Sequence, residues 1–264
     1  MTTKMKGCDI KNVSEQKIKI PITVTLIALN EERNIQRALS SVQWAEDIVV
    51  YDSGSTDNTI EIAKKMGARV VQGEWLGFGP SKRMAVQNAH CDWILSLDCD
   101  EEVDMALQQE IQKRLPDLNP KVAYKVPRLS YHMKRWIRHG GWYPDYQIRL
   151  FNRKFANWNE AKIHEKVEAS SYEKFVSHLN HYVFLNVADQ VRTNNKYSSL
   201  QAQEMWDRGK RFSLFHFLTK PYVKFVECYF WKLGLLDGWA GYVIARNAAY
   251  SVYLKWVKLK ELEG

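Results

Sequence analysis

The run Trp93-Ile94-Leu95-Ser96-Leu97-Asp98-Cys99-Asp100-Glu101-Glu102 holds the side chains in this protein with the plainest chemical potential. An apolar stretch ends abruptly in acids, with carboxylates at alternate positions 98 and 100. Hard divalent cations such as Mg²⁺ and Mn²⁺ take oxygen ligands, commonly one or two carboxylates with substrate phosphates completing the shell. A carboxylate pair at the carboxyl end of a buried strand is where an open α/β sheet would hold a metal–diphosphate. Asp-x-Asp also occurs in solvated loops that cap a following helix, so the surrounding elements must decide.

Those elements alternate. Ile20 to Leu29 is a β-branched, apolar run suited to a central parallel strand, and Asn30-Glu31-Glu32 opens a helix with Ile35, Leu39 and Val42 on one face. Asp47 to Tyr51 is a second strand, followed by the turn Asp52 to Asp57. A helix over Thr59 to Met66 stops at Gly67, and Arg69 to Gln72 is a third strand. Pro80 starts a helix through Asn88, and Trp93 to Leu97 is the fourth strand. This cadence predicts a three-layer α/β sandwich around a mostly parallel sheet. Past a helix over Asp104 to Arg114 the rhythm breaks. Val122 to Leu129 and Gln147 to Phe151 read as strands around a basic, aromatic segment, and helical periodicity returns from Val187 onward.

Four polar clusters fall after the first four strands: Asn30-Glu31, Asp52 to Asp57, Lys82 with Arg83, and Asp98 with Asp100. In an open parallel sheet such ends converge on one crevice. Plain helix capping competes with a ligand-binding role for Asn30, Thr56 and Asp57. It does not explain Asp52, a carboxylate before a Ser-Gly turn where a base or ribose could hydrogen-bond. No Gly-x-Gly-x-x-Gly follows the first strand and no Gly-x-x-x-x-Gly-Lys-Ser/Thr occurs, which excludes the usual dinucleotide-binding and P-loop fingerprints.

Ala28-Leu29-Asn30-Glu31-Glu32, Asp52-Ser53-Gly54-Ser55-Thr56-Asp57-Asn58-Thr59 and Leu97-Asp98-Cys99-Asp100-Glu101 resemble, in order and spacing over roughly residues 20 to 105, the signature of family 2 glycosyltransferases of the GT-A fold. Gly141-Trp142-Tyr143-Pro144-Asp145, Arg149-Leu150-Phe151, His164-Glu165 and Leu235 to Gly241 are similar to the lipopolysaccharide core branch, whose members add glucose to inner-core heptose. The resemblance implies a GT-A catalytic domain over 20–185, divided into a nucleotide-sugar half (20–105) and an acceptor half (106–185). A flexible leader (1–19) precedes it and a helical, membrane-associating extension (186–264) follows.

Residue roles follow from the same resemblance. Asp52, with Ser53, Gly54 and Asp57 around it, would meet uracil, and Ala28, Leu29, Asn30 and Glu31 would hold uracil and ribose. Lys82 or Arg83 would offset diphosphate charge. Asp98 would face ribose or metal, and Asp100 would bind a divalent cation, Mg²⁺ or Mn²⁺, bridging the phosphates of a UDP-sugar. An inverting displacement also needs a base beside the acceptor hydroxyl. Glu165 is preferred on family placement, although this chain has His-Glu where Glu-Asp is commoner; Asp145 is the alternative. Pairing of Glu165 with a neighbouring Lys166 or an arginine competes with the first role. His164 could complete the metal shell or be an ordinary buried histidine, and Arg149 could meet a phosphate or form a strand-end ion pair.

A formal net charge of +8, from 38 Lys and Arg against 30 Asp and Glu, favours anionic partners. The segment His132 to His139 interleaves cations and aromatics, which suits a phosphorylated glycolipid better than nucleic acid, with a plain solvated loop as the bland reading. Phe212 to Phe225 and Tyr250 to Lys260 set aromatics beside lysines, the composition of an interfacial helix on an anionic leaflet or of helices that pack on the catalytic domain. Cys8, Cys91, Cys99 and Cys228 have no metal-ligand spacing and read as reduced thiols. With no apolar signal core and no run of membrane-spanning length, the expected place is the cytoplasm, peripheral on the inner face of its membrane. The expected partners are a UDP-hexose and a lipopolysaccharide core or other glycolipid, not nucleic acid. Other family 2 acceptors (capsule, lipid or peptide), a nucleotide-sugar-forming nucleotidyltransferase and a non-catalytic anion-binding protein are the competing readings. Nothing in the sequence sets an oligomeric state.

Overall fold

A computed structural model of the chain describes residues 19–161 and 165–264. The leader expected over 1–19 therefore lies, apart from Lys19, outside the described residues, as does His164. The first half alternates β1 (Ile20–Ala28), α1 (Ile35–Ser40), β2 (Ala45–Asp52), α2 (Thr59–Lys65), β3 (Arg69–Gln72), α3 (Phe78–Gln87) and β4 (Trp93–Leu97). Then follow β5 (Glu101–Val103), α4 (Met105–Arg114), β6 (Val122–His132), β7 (Arg135–Ile137), β8 (Asp145–Asn152), β9 (Asn157–Trp158), β10 (Val167–Glu168), β11 (Ser171–Lys174) and β12 (Leu179–His181). Three helices close the chain: α5 (Val187–Asp207), α6 (Leu214–Val226) and α7 (Gly238–Glu261).

One sheet carries the order β3-β2-β1-β4-β8-β6-β12-β5, with β7 and β11 also paired to β6. Its first four strands are parallel, while β8 runs antiparallel to β4 and β6. The sheet is thus parallel where the β-α rhythm was legible and mixed beyond it.

The alternation of side chains across each strand sorts the core into two layers. Leu95 and Leu97 of β4 join Val24 and Leu26 of β1 beneath Leu39 of α1 and Leu107 of α4. Ile94, pointing the other way, packs with Phe151 of β8, Val86 of α3 and Trp158 of β9. Each such fully buried aliphatic side chain contributes about 1.5–3 kcal/mol relative to exposure. The back face of β1 is not apolar as its composition suggested. It carries Thr23 and Thr25, both buried, and Thr23 Oγ1 donates to Asp47 Oδ2 at 2.9 Å.

Strand register levels the carboxyl ends. Ala28 pairs with Asp52, Asp52 with Gln72, and Leu26 with Leu97, so the chain leaves β1, β2, β3 and β4 along one edge. This edge gathers the acidic and polar clusters.

The C-terminal helices pack on one another through Ala202 of α5 and Trp256 and Leu259 of α7, with Phe217 of α6 against them. A break over 227–237 separates α6 from α7. Gly241 permits it, because a Cβ there would lie 1.8 Å from the Gly234 carbonyl oxygen. Asp237, buried, fastens this break to the loop after β7 by accepting from the backbone N–H groups of Arg138 (3.2 Å) and His139 (2.8 Å). Among the described residues no helix is long and apolar enough to cross a membrane.

Candidate active site

The levelled edge is stitched before any ligand is considered. Asn30, in the left-handed region at φ 56°, accepts at Oδ1 from the Thr56 N–H, and its own N–H donates to Ser55 Oγ. Glu31 N–H donates to Thr59 Oγ1, and Asp57 accepts from Thr59 N–H and Glu32 N–H. The two loops after β1 and β2 therefore form one rigid shelf.

Asp52 holds that shelf from behind. It has no exposed surface; its Oδ1 accepts from the N–H groups of Gly54 and Ser55, and its Oδ2 from Ser55 Oγ. The carboxylate expected to meet uracil directly is thus spent on shaping the Ser53–Ser55 turn, and a base can meet only that turn. Ser53 belongs to the same turn, and its buried Oγ has no hydrogen-bond partner among the described residues.

Beside the shelf opens a cleft of about 490 Å³ whose wall includes Ala28, Leu29, Glu31, Asp98 and Asp100. Trp75 and Phe78, a T-shaped pair with centroids 4.9 Å apart, also line it, with Arg128, His181 and Tyr197. A larger hollow of about 890 Å³ lies at the other end of β1, near Lys19 and Trp44, away from these acids.

Asp98 and Asp100 diverge sharply in environment. Asp98 Oδ1 meets Lys82 Nζ at 3.0 Å, and its Oδ2 is gripped by Arg149 at 2.5 Å. Burial alone would raise its pKa, but Arg149 and Lys82 hold the carboxyl far below the usual carboxylate range. Arg149 is itself buried and also grips Glu101 at 2.6 Å, which holds its guanidinium protonated against burial. It therefore forms the strand-end ion pair and is not placed to meet a phosphate. Glu101, with no exposed surface, further accepts from the Asp98 N–H at 3.1 Å and lies 3.5 Å from Arg128. Both Asp98 oxygens being engaged by cations, this residue is a poor first ligand for a metal.

Asp100 is free of arginine and lysine partners in the described residues; its Oδ2 faces His181 Nε2 at 3.4 Å. The other ring nitrogen of His181 lies 3.2 Å from Ser130 Oγ, which fixes the ring plane. Glu31 completes the acidic wall. Its pKa is raised, first by burial and then by Asp100, Asp57 and Asp98, against a hydrogen bond from Asn34.

Neither of the two expected bases lines the cleft; each is tied to a residue that does or to its ion-pair partner. Glu165 Oε1 lies 3.0 Å from Lys82 Nζ, so the lysine bridges it to Asp98; the partner is neither Lys166 nor an arginine. Trp158 lies under the same ammonium, 4.4 Å away. Asp145 is held by Arg128 at 2.8 Å and by Gln147 at 2.8 Å. Arg83 turns away and donates to the Trp158 carbonyl, so of the two cations expected near a diphosphate only Lys82 is at the site.

Sequence reasoning missed Arg128, His181, Trp75, Phe78 and Tyr197. His181 reaches Asp100 because β12 pairs with β5, His181 opposite Glu101. No local pattern announces that pairing.

Residues 23–178 match the family model described as Glycosyl transferase family 2. The chain belongs to that family. This glycosyltransferase is 31% identical over 259 residues, 91% of this chain and 87% of the other, to an uncharacterized glycosyltransferase of Rickettsia typhi. It is 26% identical to the lipopolysaccharide core biosynthesis glycosyltransferase LpsC of Rhizobium meliloti, over 91% of this chain and 92% of that one. Among solved structures it is similar to glucosyl-3-phosphoglycerate synthase of Mycobacterium tuberculosis in complex with Mn²⁺, UDP and glucosyl-3-phosphoglycerate. That likeness has 26% identity and a TM-score of 0.35, and covers 49% of this chain and 51% of that one. The glycosyltransferase has the GT-A type α/β architecture, with its helical part at the C-terminus.

Proposed function

We propose that this glycosyltransferase moves a hexose, glucose in the first instance, from UDP to a lipopolysaccharide inner-core sugar, heptose, inverting the anomeric centre. The observation that carries the donor side is the facing pair Asp100 and His181 in the cleft at the levelled strand ends. An oxygen and an imidazole nitrogen 3.4 Å apart, with the second ring nitrogen anchored on Ser130, suit a divalent cation whose remaining positions go to substrate phosphates. Among the described residues no group of three or more His, Cys, Asp or Glu side chains is gathered to hold a metal ion, so the reading rests on this pair and on substrate oxygens. A cation held there would offset the negative charge that grows on departing UDP.

The remaining roles belong to the chain. The Asn30–Ser55 shelf and the Trp75–Phe78 pair bound the space for uracil and ribose. Asp98, kept ionised by Arg149 and Lys82, faces the same space and accepts a ribose hydroxyl or a water of the cation. Glu165 takes the proton of the acceptor hydroxyl as that oxygen attacks the anomeric carbon. Its partner Lys82 is a single ammonium on a flexible stem, able to swing toward incoming phosphate and release the carboxylate. Asp145, clamped by the guanidinium of Arg128, has no such release and serves as a structural anion.

Similarity to the lipopolysaccharide core enzyme LpsC supports a glycolipid acceptor, and a place on the inner face of the cytoplasmic membrane goes with it. The test is release of UDP from UDP-glucose in Mn²⁺, in wild type and in Asp100→Ala. Slow hydrolysis lost in the variant supports the reading; pyrophosphate release from UTP would point to a nucleotidyltransferase instead.

A further inference from the structure

The C-terminal helices leave an apolar face that the catalytic domain does not cover. Phe215 (70% exposed) and Tyr222 (71%) stand on α6, Trp231 (72%) stands in the break, and Trp239 (69%) on the first turn of α7. The face is continuous. Leu218, Tyr222 and Phe225 line one shallow groove. The Phe225 ring packs on Tyr229 at 5.4 Å and on Tyr242 at 5.9 Å, and Tyr242 stacks on Trp239 at 5.5 Å. Leu235 and Leu236, both exposed, extend it between the tryptophans. Monomeric soluble proteins rarely leave so many large apolar side chains together without a use for them.

Its charge identifies what covers it. From Arg208 to Lys260 the chain carries ten lysines and arginines and two acids. Both acids are already paired: Glu227 with Lys224 and Lys232, Asp237 with Arg135 and His139. Among the described residues Lys220, Arg246, Lys255 and Lys258 have no acid partner, while Lys260 meets Glu263 at 3.3 Å. Lys255 has its pKa lowered by burial and then by Lys210, Lys224 and Lys220, so these four ammonium groups share one neighbourhood. A second copy docking on the same face about a two-fold axis would set this positive field against itself. Protein interfaces, moreover, are depleted in lysine at their centre. Tryptophan and tyrosine rimmed by lysine are the side chains of the water–bilayer boundary.

We propose that this crest, from Leu214 to Tyr242, seats the enzyme on an anionic lipid bilayer, with Trp231 and Trp239 entering the boundary and the lysine cluster meeting lipid phosphates. The second segment that sequence composition assigned to the membrane, Tyr250 to Lys260, turns its Trp256 and Leu259 into α5 instead. The contact surface is therefore α6, the break and the start of α7 as far as Tyr242, while Ala240 and Ile244 on the other side of α7 pack on Ile137 of the catalytic domain. Through α5, which packs on α7 and supplies Tyr197 to the cleft wall, the seated face connects directly to the donor site. This deepens the glycolipid-acceptor reading by naming the face turned to the lipid, and it uses no residue of the donor cleft.

The test is flotation of the full chain with vesicles of phosphatidylcholine, with and without phosphatidylglycerol. At about 0.1 M salt, where the screening length is near 10 Å, wild type is expected to float with the anionic vesicles at least tenfold more than with neutral ones. Raising the salt several-fold should release it. Trp231→Ser/Trp239→Ser, altering two exposed side chains, should lose flotation at least tenfold while keeping UDP-glucose hydrolysis. Wild type that fails to float, or a double variant that floats equally, would overturn the proposal. So would a wild-type dimer in sedimentation that the double variant dissolves, since that would assign the crest to a second copy. Loss of hydrolysis in wild type would instead strike the donor-site reading and leave the crest untouched.

Discussion

Lys82 and Glu165 are 83 positions apart in the chain, yet the lysine Nζ lies 3.0 Å from Glu165 Oε1 and also 3.0 Å from Asp98 Oδ1. One buried ammonium thus joins the expected base to the donor-side acid. If Glu165 takes the acceptor proton, Glu165→Gln keeps the hydrogen-bonding shape and loses the basicity. Transfer is expected to fall by about 10²–10⁴-fold, the usual worth of general base catalysis. Titration of UDP should show an affinity within a few-fold of wild type. Near-normal turnover in the variant would remove Glu165 from the chemistry.

Arg149 serves stability through two acids at once. Its side chain is 4% exposed, and Glu101 beneath it is fully buried. Arg149→Met would leave the Glu101 charge with Arg128, 3.5 Å away, as its remaining cation. The loss should therefore approach about 3–5 kcal/mol, the cost of a buried pair broken from one side. Urea denaturation at neutral pH should register that loss. Asp98 sets the sign of the pH dependence: its folded pKa is depressed, so its contribution is present above the ordinary aspartate range and is lost as pH falls below it. The difference between wild type and Arg149→Met should therefore shrink in acid and stay constant from mildly acidic to neutral pH.

Glu31 behaves in the opposite sense. Burial, with Asp100, Asp57 and Asp98 nearby, raises its folded pKa. A raised carboxyl contributes stability below the ordinary glutamate range that is lost as pH rises through the folded value. Glu31→Gln removes the ionisation and keeps an acceptor for Asn34. In the absence of divalent cation the variant should gain stability relative to wild type as the pH is raised from about 4 to about 8 in denaturant titrations. A gain that did not grow with pH would contradict the assignment.

Gly79 governs how closely α3 approaches the loop that carries Glu165. A Cβ there would lie 2.4 Å from the Asn159 carbonyl oxygen and 2.6 Å from that of Ala161. In an open helix Gly→Ala stabilises by roughly 0.5–1 kcal/mol. Here Gly79→Ala should instead displace backbone and lower turnover at least tenfold, with UDP affinity much less affected. Steady-state kinetics with a UDP titration separates the two effects.

The sequence made the donor half legible because its logic is local. Each parallel strand is an apolar run, each is followed by a short helix with its own apolar face, and acids at strand ends are neighbours in the chain. The helix starts were less legible, since α1, α2 and α3 open at Asn34, Asn58 and Gly77 without a side-chain cap. Even there the chemistry shifted between adjacent acids: Asp98 and Asp100 look alike in the motif but differ in partners, because Arg149 and Lys82 arrive from 51 and 16 positions away in the chain. Asp52 was readable as important but not as buried, since only the folded turn shows Ser55 filling its second oxygen. Past residue 105 only α4 and the two long strands, β6 and β8, were legible, and the rest was hidden for a different reason. Strands of two to four residues such as β9, β10 and β12 carry too few side chains to show a period of two, and their position comes from pairing partners far away. His181 was lost with β12. The break before α7 escaped notice because its residues are as apolar as the helices on either side.

The facing pair Asp100 and His181 carries the donor-site account, and titration of UDP into the full chain tests it most directly. With Mn²⁺ present, wild type is expected to bind UDP, and chelation of the cation should weaken that binding by about tenfold or more, the scale of one or two lost charge-assisted contacts. Asp100→Ala and His181→Ala should each bind UDP in Mn²⁺ no better than chelated wild type. Equal UDP affinity with and without Mn²⁺, or unchanged cation dependence in both variants, would contradict the account.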